Sequence, residues 1–185
     1  MTTLPTGGTC RPITRWGEPV MHEPCHPVTA FDAELTSLVA DMVATMYAAE
    51  GVGLAANQIG VSRKVFVFDC PDHDGTQHRG VVCNPSVQLP TGRDRVLDEG
   101  EEGCLSLPGA FVECPRTDYA EVTGVDLTGR PVSYVGQGLL ARCLQHEADH
   151  LDGIVFADRL STRASKKLHK EATRLAADYP DGWPA

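Results

Sequence analysis

Gln145-His146-Glu147-Ala148-Asp149-His150 sets two histidines four residues apart with a glutamate between them. On a helix, residues four apart share a face, about one turn and roughly 6 Å from each other. Two imidazoles so placed can grip one divalent metal ion, and the carboxylate between them reaches a water on it. The word constrains the fold: this segment must be helical, its histidine face must look inward, and a distant stretch must return with a third ligand. Glu101-Glu102-Gly103-Cys104-Leu105-Ser106-Leu107-Pro108 offers Cys104 for that place, in a Gly-flanked segment read as extended and close to the core. As a thiolate, Cys104 completes a Cys-His-His set with one position open for water, the arrangement of catalytic rather than closed structural sites. A metal held there lowers the pKa of its water toward about 7. Cys143, one turn before His146, competes as a ligand, but a small packing residue is the preferred reading.

The remaining pattern predicts an α+β domain, with mixed or antiparallel strands packed around a central metal-binding helix. Leu35, Leu38, Val39, Met42, Val43 and Met46 recur at helical spacing and predict an amphipathic helix over about 32–49, stopped by Gly51. Val65-Phe66-Val67-Phe68 and Val81-Val82-Cys83 read as short buried strands, and 119–126 with 131–135 as a hairpin around Asp126-Leu127-Thr128-Gly129. The metal helix spans about 138–151, with Leu139, Cys143, His146 and His150 on one inward face. A last helix covers about 161–177. The Pro-rich first 28 residues are expected to wrap the surface. The whole of 1–185 reads as one catalytic domain, with 161–185 a variable C-terminal helix and tail.

The net charge of −9 argues against a nucleic-acid-binding surface as the main purpose. No basic-then-apolar leader and no membrane-length apolar run is seen, so a cytoplasmic location is expected. The seven cysteines are odd in number, scattered and without a Cys-x-x-Cys pair, which suits free thiols in a reducing compartment.

Three words appear in order: Gly51-Val52-Gly53-Leu54-Ala55-Ala56-Asn57-Gln58, Glu102-Gly103-Cys104-Leu105-Ser106 and Gln145-His146-Glu147-Ala148-Asp149-His150. Together they resemble the three signature motifs of peptide deformylases, and the likeness spans roughly 11–160. It implies hydrolytic removal of the formyl group from N-formylmethionine at the start of new bacterial or organellar chains. It further implies that Cys104, His146 and His150 bind the metal, natively Fe(II), with zinc, nickel or cobalt able to replace it in purified protein. Glu147 is then the general base and acid, and Gln58 with the backbone N–H of Leu105 holds the oxyanion. Gly53 contacts the substrate backbone, which adds as a strand. Val52, Leu139 and Cys143 line the methionine pocket, a reading held nearly even with plain core. Asp149 resembles an anchor for Arg116, and Glu102 is either a support for the site or a surface charge.

Two features are less typical. Arg142 either extends to the surface or alters preference at the substrate's methionine side. Arg163, Lys166, Lys167, Lys170 and Arg174 make the last helix basic on an acidic chain. A solvated face is the plain reading, and a ribosome-docking surface the sharper one. Two rivals stand beside the deformylase reading. One is a His-Glu-x-x-His endopeptidase, whose third ligand would have to be His169 or Glu171. The other is a non-catalytic metal-binding module, which the presence of Glu147 and Gln58 disfavours.

Overall fold

The computed structural model describes residues 3–185. Helix α1 (Ala33–Ala48) opens where Asp32 caps it, its carboxylate accepting from the Leu35 N–H at 3.0 Å. Its buried stripe is Leu35, Val39, Met42, Val43 and Met46, as the periodicity predicts. Strands β1 (Gly53–Ala55), β2 (Val65–Pro71) and β3 (Gln77–Gln88) follow. After them come β4 (Leu97–Asp98), β5 (Glu101–Cys104), β6 (Leu107–Glu113), β7 (Arg116–Thr117), β8 (Tyr119–Val125) and β9 (Pro131–Gln137). Helix α2 (Gly138–Leu151) carries the histidine word, and α3 (Thr162–Leu175) closes the regular structure.

Five strands form one sheet in the order β1-β2-β3-β8-β9, and two smaller pairs are β4-β7 and β5-β6. Every pairing between these strands is antiparallel, so the expected α+β class holds and the mixed alternative narrows. The run Val65-Phe66-Val67-Phe68 shows why. Val65 and Val67 face α1 together with Val81 and Cys83, whereas Phe66, Phe68 and Cys70 face α2 with Val82, Leu140 and Leu144. Successive side chains of a strand point to opposite faces, so a sheet covered on both sides needs apolar residues without alternation. Strand β2 is therefore interior, covered on both faces, and β1 is left as an edge.

A third apolar cluster seats the β5-β6 hairpin. Leu107, Ala110 and Val112 pack with Phe156 and with Leu168, the one buried residue of α3. The first 28 residues do more than wrap the surface: Leu4, Ile13, Met21, Cys25 and Val28 are buried. The segment is laced down by Thr14 N–H to Gln58 O at 2.8 Å and Trp16 N–H to Ser106 O at 3.1 Å. Strands β1 and β6 were not foreseen, because glycines interrupt their apolar pattern. Among the described residues, no helix is long and apolar enough to cross a membrane.

Candidate metal centre and substrate cleft

Strand β5 runs beside α2 with Glu102 and Cys104 on its buried face, two residues apart as a strand requires. The β5-β6 pairing shifts register between Gly103 and Cys104, a bulge of the kind that re-aims a side chain next to a site. Cys104 Sγ lies 3.3 Å from His150 Nε2, and the two Nε2 atoms of His146 and His150 are 3.1 Å apart. Ligand atoms of all three residues lie within 4.8 Å of one another, and all three residues are buried. The word on α2 and the cysteine on β5 are thus brought to one point.

The donor set suits a divalent cation. His146 Nδ1 donates to Glu102 Oε1 at 2.7 Å, which turns Nε2 toward Cys104 and His150. Burial opposes a charge on His146, but Cys104 and Glu102 outweigh it and hold the ring well above its ordinary pKa. The same thiol and carboxylate would hold a metal cation at Nε2. His150 is pushed well below its ordinary value, first by burial and then by His146, and so stays neutral as a ligand must.

Glu102 is the hub of this region. It accepts from Arg116 Nε (2.9 Å) and Nη2 (2.6 Å), from Arg142 Nη1 (2.8 Å) and from His146 Nδ1 (2.7 Å). Burial works against its charge, yet Arg116 and His146 hold the carboxyl well below the usual carboxylate range. Glu102 is therefore no surface charge. Arg142 does not reach the surface and is not spare: it is buried, bonding Glu102, the Cys114 carbonyl at 2.7 Å and Asp98 Oδ2 at 2.8 Å. A carboxylate and a carbonyl facing α2 make a charged residue favourable where the sequence pattern suggests an apolar one. Asp149 meets Arg116 Nη1 at 2.6 Å and also pairs with Arg159.

The metal point opens into a cleft of about 520 Å³. Glu147 and Gln58 line it, as do Gly53, Val52, Leu105, Leu139 and Cys143. Val52 and Leu139 are rim residues, 38% and 41% exposed, so the plain-core alternative falls for both and Leu139 does not share the buried face of His146 and His150. Cys143 is buried, its Sγ 3.6 Å from the Val52 carbonyl and outside the ligand cluster. Burial pushes the Glu147 carboxyl up to about 7, against the pull of His146. Its Oε2 is buried and has no hydrogen-bond partner among the described residues. Such an oxygen in a cleft wall is a group kept for something that binds there. Gln58 Oε1 accepts from the Ala55 N–H at 2.8 Å, which turns its Nε2 toward Cys104 Sγ (3.6 Å) and Ser106 Oγ (3.4 Å). Gly53 has a tighter reason to be glycine than backbone approach alone. A Cβ there would lie 2.5 Å from Glu147 Oε1 and 2.8 Å from Cys143 Sγ.

A family model for polypeptide deformylases matches residues 10–166. The chain belongs to the peptide deformylase family. It is 56% identical over 174 residues to peptide deformylase 1 of Streptomyces avermitilis, covering 94% of this chain and 80% of that protein. It is 52% identical over 169 residues to peptide deformylase 2 of Streptomyces coelicolor, 91% of this chain and 93% of that one. A crystal structure of a peptide deformylase from Legionella pneumophila superposes with a TM-score of 0.80 at 38% identity, covering 93% of this chain and all of that one. One from Synechococcus elongatus, in complex with actinonin, gives 0.79 at 34% identity, covering 94% of each chain. Peptide deformylases remove N-formyl groups from nascent peptides and use a metal to do so, and this chain is such a hydrolase. The endopeptidase alternative fails on geometry as well. His169 stacks on Trp16 with centroids 4.2 Å apart, and Glu171 pairs with Arg174, so neither turns to the metal point.

Sequence reasoning missed Asp98 and Arg159 as charge partners. It also missed Phe111, Tyr179 and Trp183 as cleft residues. No local pattern marks them, since each acts through a contact outside its own element.

Proposed function

We propose that Cys104, His146 and His150 hold one divalent metal ion, Fe(II) in the cell and exchangeable for zinc, nickel or cobalt in purified protein. Glu147, Gln58 and Leu105 then carry out the removal of the formyl group from N-formylmethionyl peptides. The observation that carries this reading is the convergence of three buried ligand atoms beside an unpartnered Glu147 oxygen. A thiolate with two imidazoles suits several transition metals, and Fe(II) is chosen on the family likeness.

When bound, the ion supplies Lewis acidity and makes water acidic enough to ionise near pH ~7. The chain does the rest. Glu147 takes the proton from the water that adds to the formyl carbon. The Gln58 amide and the Leu105 N–H donate to the oxygen that gains charge, in a pocket too buried for bulk water to compete. The formyl C–N bond then breaks, Glu147 returns its proton to the departing nitrogen, and formate and a free amino terminus are released. Gly53, on edge strand β1, offers backbone groups to an extended substrate, which adds as a further strand. Val52, Leu139 and Cys143 receive the methionine side chain.

The test is formate release from formyl-Met-Ala-Ser by anaerobically Fe(II)-loaded protein. Release should stop on treatment with a strong chelator and return when Fe(II) is added back. Turnover that survives complete metal removal would end this reading.

The same proposal treats 1–185 as one catalytic unit, because Leu168 of α3 is wholly buried against β6 and its neighbours. A cytoplasmic site of action accords with seven cysteines that are all free thiols. Arg163, Lys166, Lys167, Lys170 and Arg174 all face solvent on α3, a basic surface suited to ribosomal RNA where the substrate emerges. Reversing Lys166, Lys167 and Lys170 to glutamate should abolish salt-dependent co-sedimentation with ribosomes. Unchanged co-sedimentation would leave these charges as a solvated face.

A further inference from the structure

Tyr179 and Trp183, in the segment after α3, line the same cleft as His146 and Glu147. Both are half-buried, whereas Glu147 and the metal ligands are buried, so the two rings stand nearer the mouth. The segment is tied down rather than loosely apposed. Ile13 N–H donates to Trp183 O at 2.9 Å, and Arg15 Nη2 donates to Tyr179 O at 2.8 Å and Pro180 O at 3.2 Å. The Arg15 guanidinium sits 5.7 Å from the Trp183 ring centroid, and the Tyr179 and Trp183 rings meet edge-on at 5.0 Å. Tyr179 also presses on β6 at Gly109, whose φ of +76° and lack of a side chain make room: a Cβ there would lie 2.8 Å from the Tyr179 ring. Trp183 and Leu105 of the cleft wall each pack against the apolar cluster that holds Ile13, Met46 and Ile59.

We propose that Tyr179 and Trp183 form an aromatic wall that binds the residues following formylmethionine, favouring apolar and aromatic side chains there, with Arg15 as the positioning residue. The proposal rests on the deformylase reading and extends it. A peptide paired to β1 advances roughly 3.3 Å per residue. With its formyl end at Glu147, its later residues must travel outward toward the rim. The rim carries exposed apolar groups, Phe111 at 59% alongside Val52 and Leu139, together with the exposed carboxylates of Glu50 and Glu101. At about 520 Å³ the cleft is within the ~300–1,000 Å³ of pockets that enclose sizeable ligands. Tyrosine and tryptophan give such a wall large rigid faces at little cost in side-chain entropy.

The test compares formyl-Met, formyl-Met-Leu and formyl-Met-Leu-Phe on the metal-loaded enzyme and on Trp183→Ala, Trp183→Phe and Arg15→Ala. In Trp183→Ala, the kcat/KM advantage of the tripeptide over the dipeptide should fall about three- to tenfold, the size of one aromatic contact, and fall through KM. Trp183→Phe should recover most of it, and Arg15→Ala should lose part of it. Only two tryptophans are present, so a Trp16→Phe background leaves Trp183 as sole reporter. The peptide Met-Leu-Phe should then shift its emission saturably, and free methionine should not. Trp183→Ala within twofold of wild type on all three substrates, with emission unmoved by Met-Leu-Phe, would overturn the wall. A wild-type enzyme releasing no formate from any substrate would count against the deformylase reading instead, and the emission titration would then decide the wall alone.

Discussion

Glu147→Ala protein is expected to bind its metal at wild-type stoichiometry and to release formate at least ~100-fold more slowly, the usual weight of a positioned acid–base group. Three observations support an effect of this size. The carboxyl is buried in the cleft wall, one of its oxygens has no partner, and burial has moved its pKa up to about 7. Nothing in the packing uses that oxygen, so stability should not require it. A buried carboxylate whose pKa is raised costs stability at every pH above its ordinary value of 4.5, and the full cost applies once pH exceeds the folded value. Glu147→Gln, which keeps the shape, should therefore be at least as stable as wild type at pH 8 while equally inactive. Because the base must be ionised, kcat/KM should rise with pH along a limb that lies above 4.5 and vanishes in the variant. Formate release and metal analysis on the same preparation decide the matter. Turnover within tenfold of wild type would remove Glu147 from its role.

The second large effect is on the scaffold. Glu102→Ala should cost about 2–4 kcal/mol of unfolding free energy, because Arg116 and Arg142 lose their shared buried partner and keep only Asp149 and Asp98 as carboxylates. It should also weaken metal binding roughly 10–100-fold, because His146 Nδ1 loses the acceptor that fixes its ring. Urea unfolding of the variant and a metal competition assay read the two losses separately. The pH dependence follows from the sign of the shift. The Glu102 carboxyl is held well below its ordinary 4.5 in the folded protein, so its contribution is fully present above that value. It is lost as pH falls through the folded value, and wild type should lose stability more steeply than Glu102→Ala below pH 4.5. A stability loss under 1 kcal/mol would mean that water or rearranged side chains replace the carboxylate, and the hub would be a surface network in energetic terms.

Much of the site was legible before the fold was known, for reasons that are local. Helical geometry alone puts His146 and His150 on one face and Glu147 between them. Strand geometry puts Glu102 and Cys104 on one side of β5. The apolar spacing of α1 and the unbroken run of β2 report their own burial, since each pattern is the direct imprint of a periodic backbone on a core. Strand β6 was not legible, because Pro108 and Gly109 break its alternation and only pairing with β5 makes it a strand.

Arg142 shows the limit from the other side. Its place on α2 suggested either escape to solvent or a part in substrate preference; its burial ends the first, and its position in the cleft lining accords with the second. The structure surrounds it with Glu102, Asp98 and the Cys114 carbonyl, contributed by neighbouring strands and loops, and these make burial of the charge favourable. Tyr179 and Trp183 are similar: half-apolar residues in a Pro- and Gly-bearing segment, with nothing nearby in sequence to give them a task.

By itself the sequence put forward Cys104, His146 and His150 as ligands and Glu147 as base: helical spacing pairs the histidines around the glutamate, and the likeness to the three family words singles Cys104 out of seven cysteines. Only the tertiary structure decided that Glu102 gathers two arginines and a histidine, that Gly53 must be glycine to admit Glu147, and that the segment after α3 walls the cleft. Those contacts join residues with no fixed separation along the chain, and a buried charge or a cleft wall is defined by what surrounds it in space.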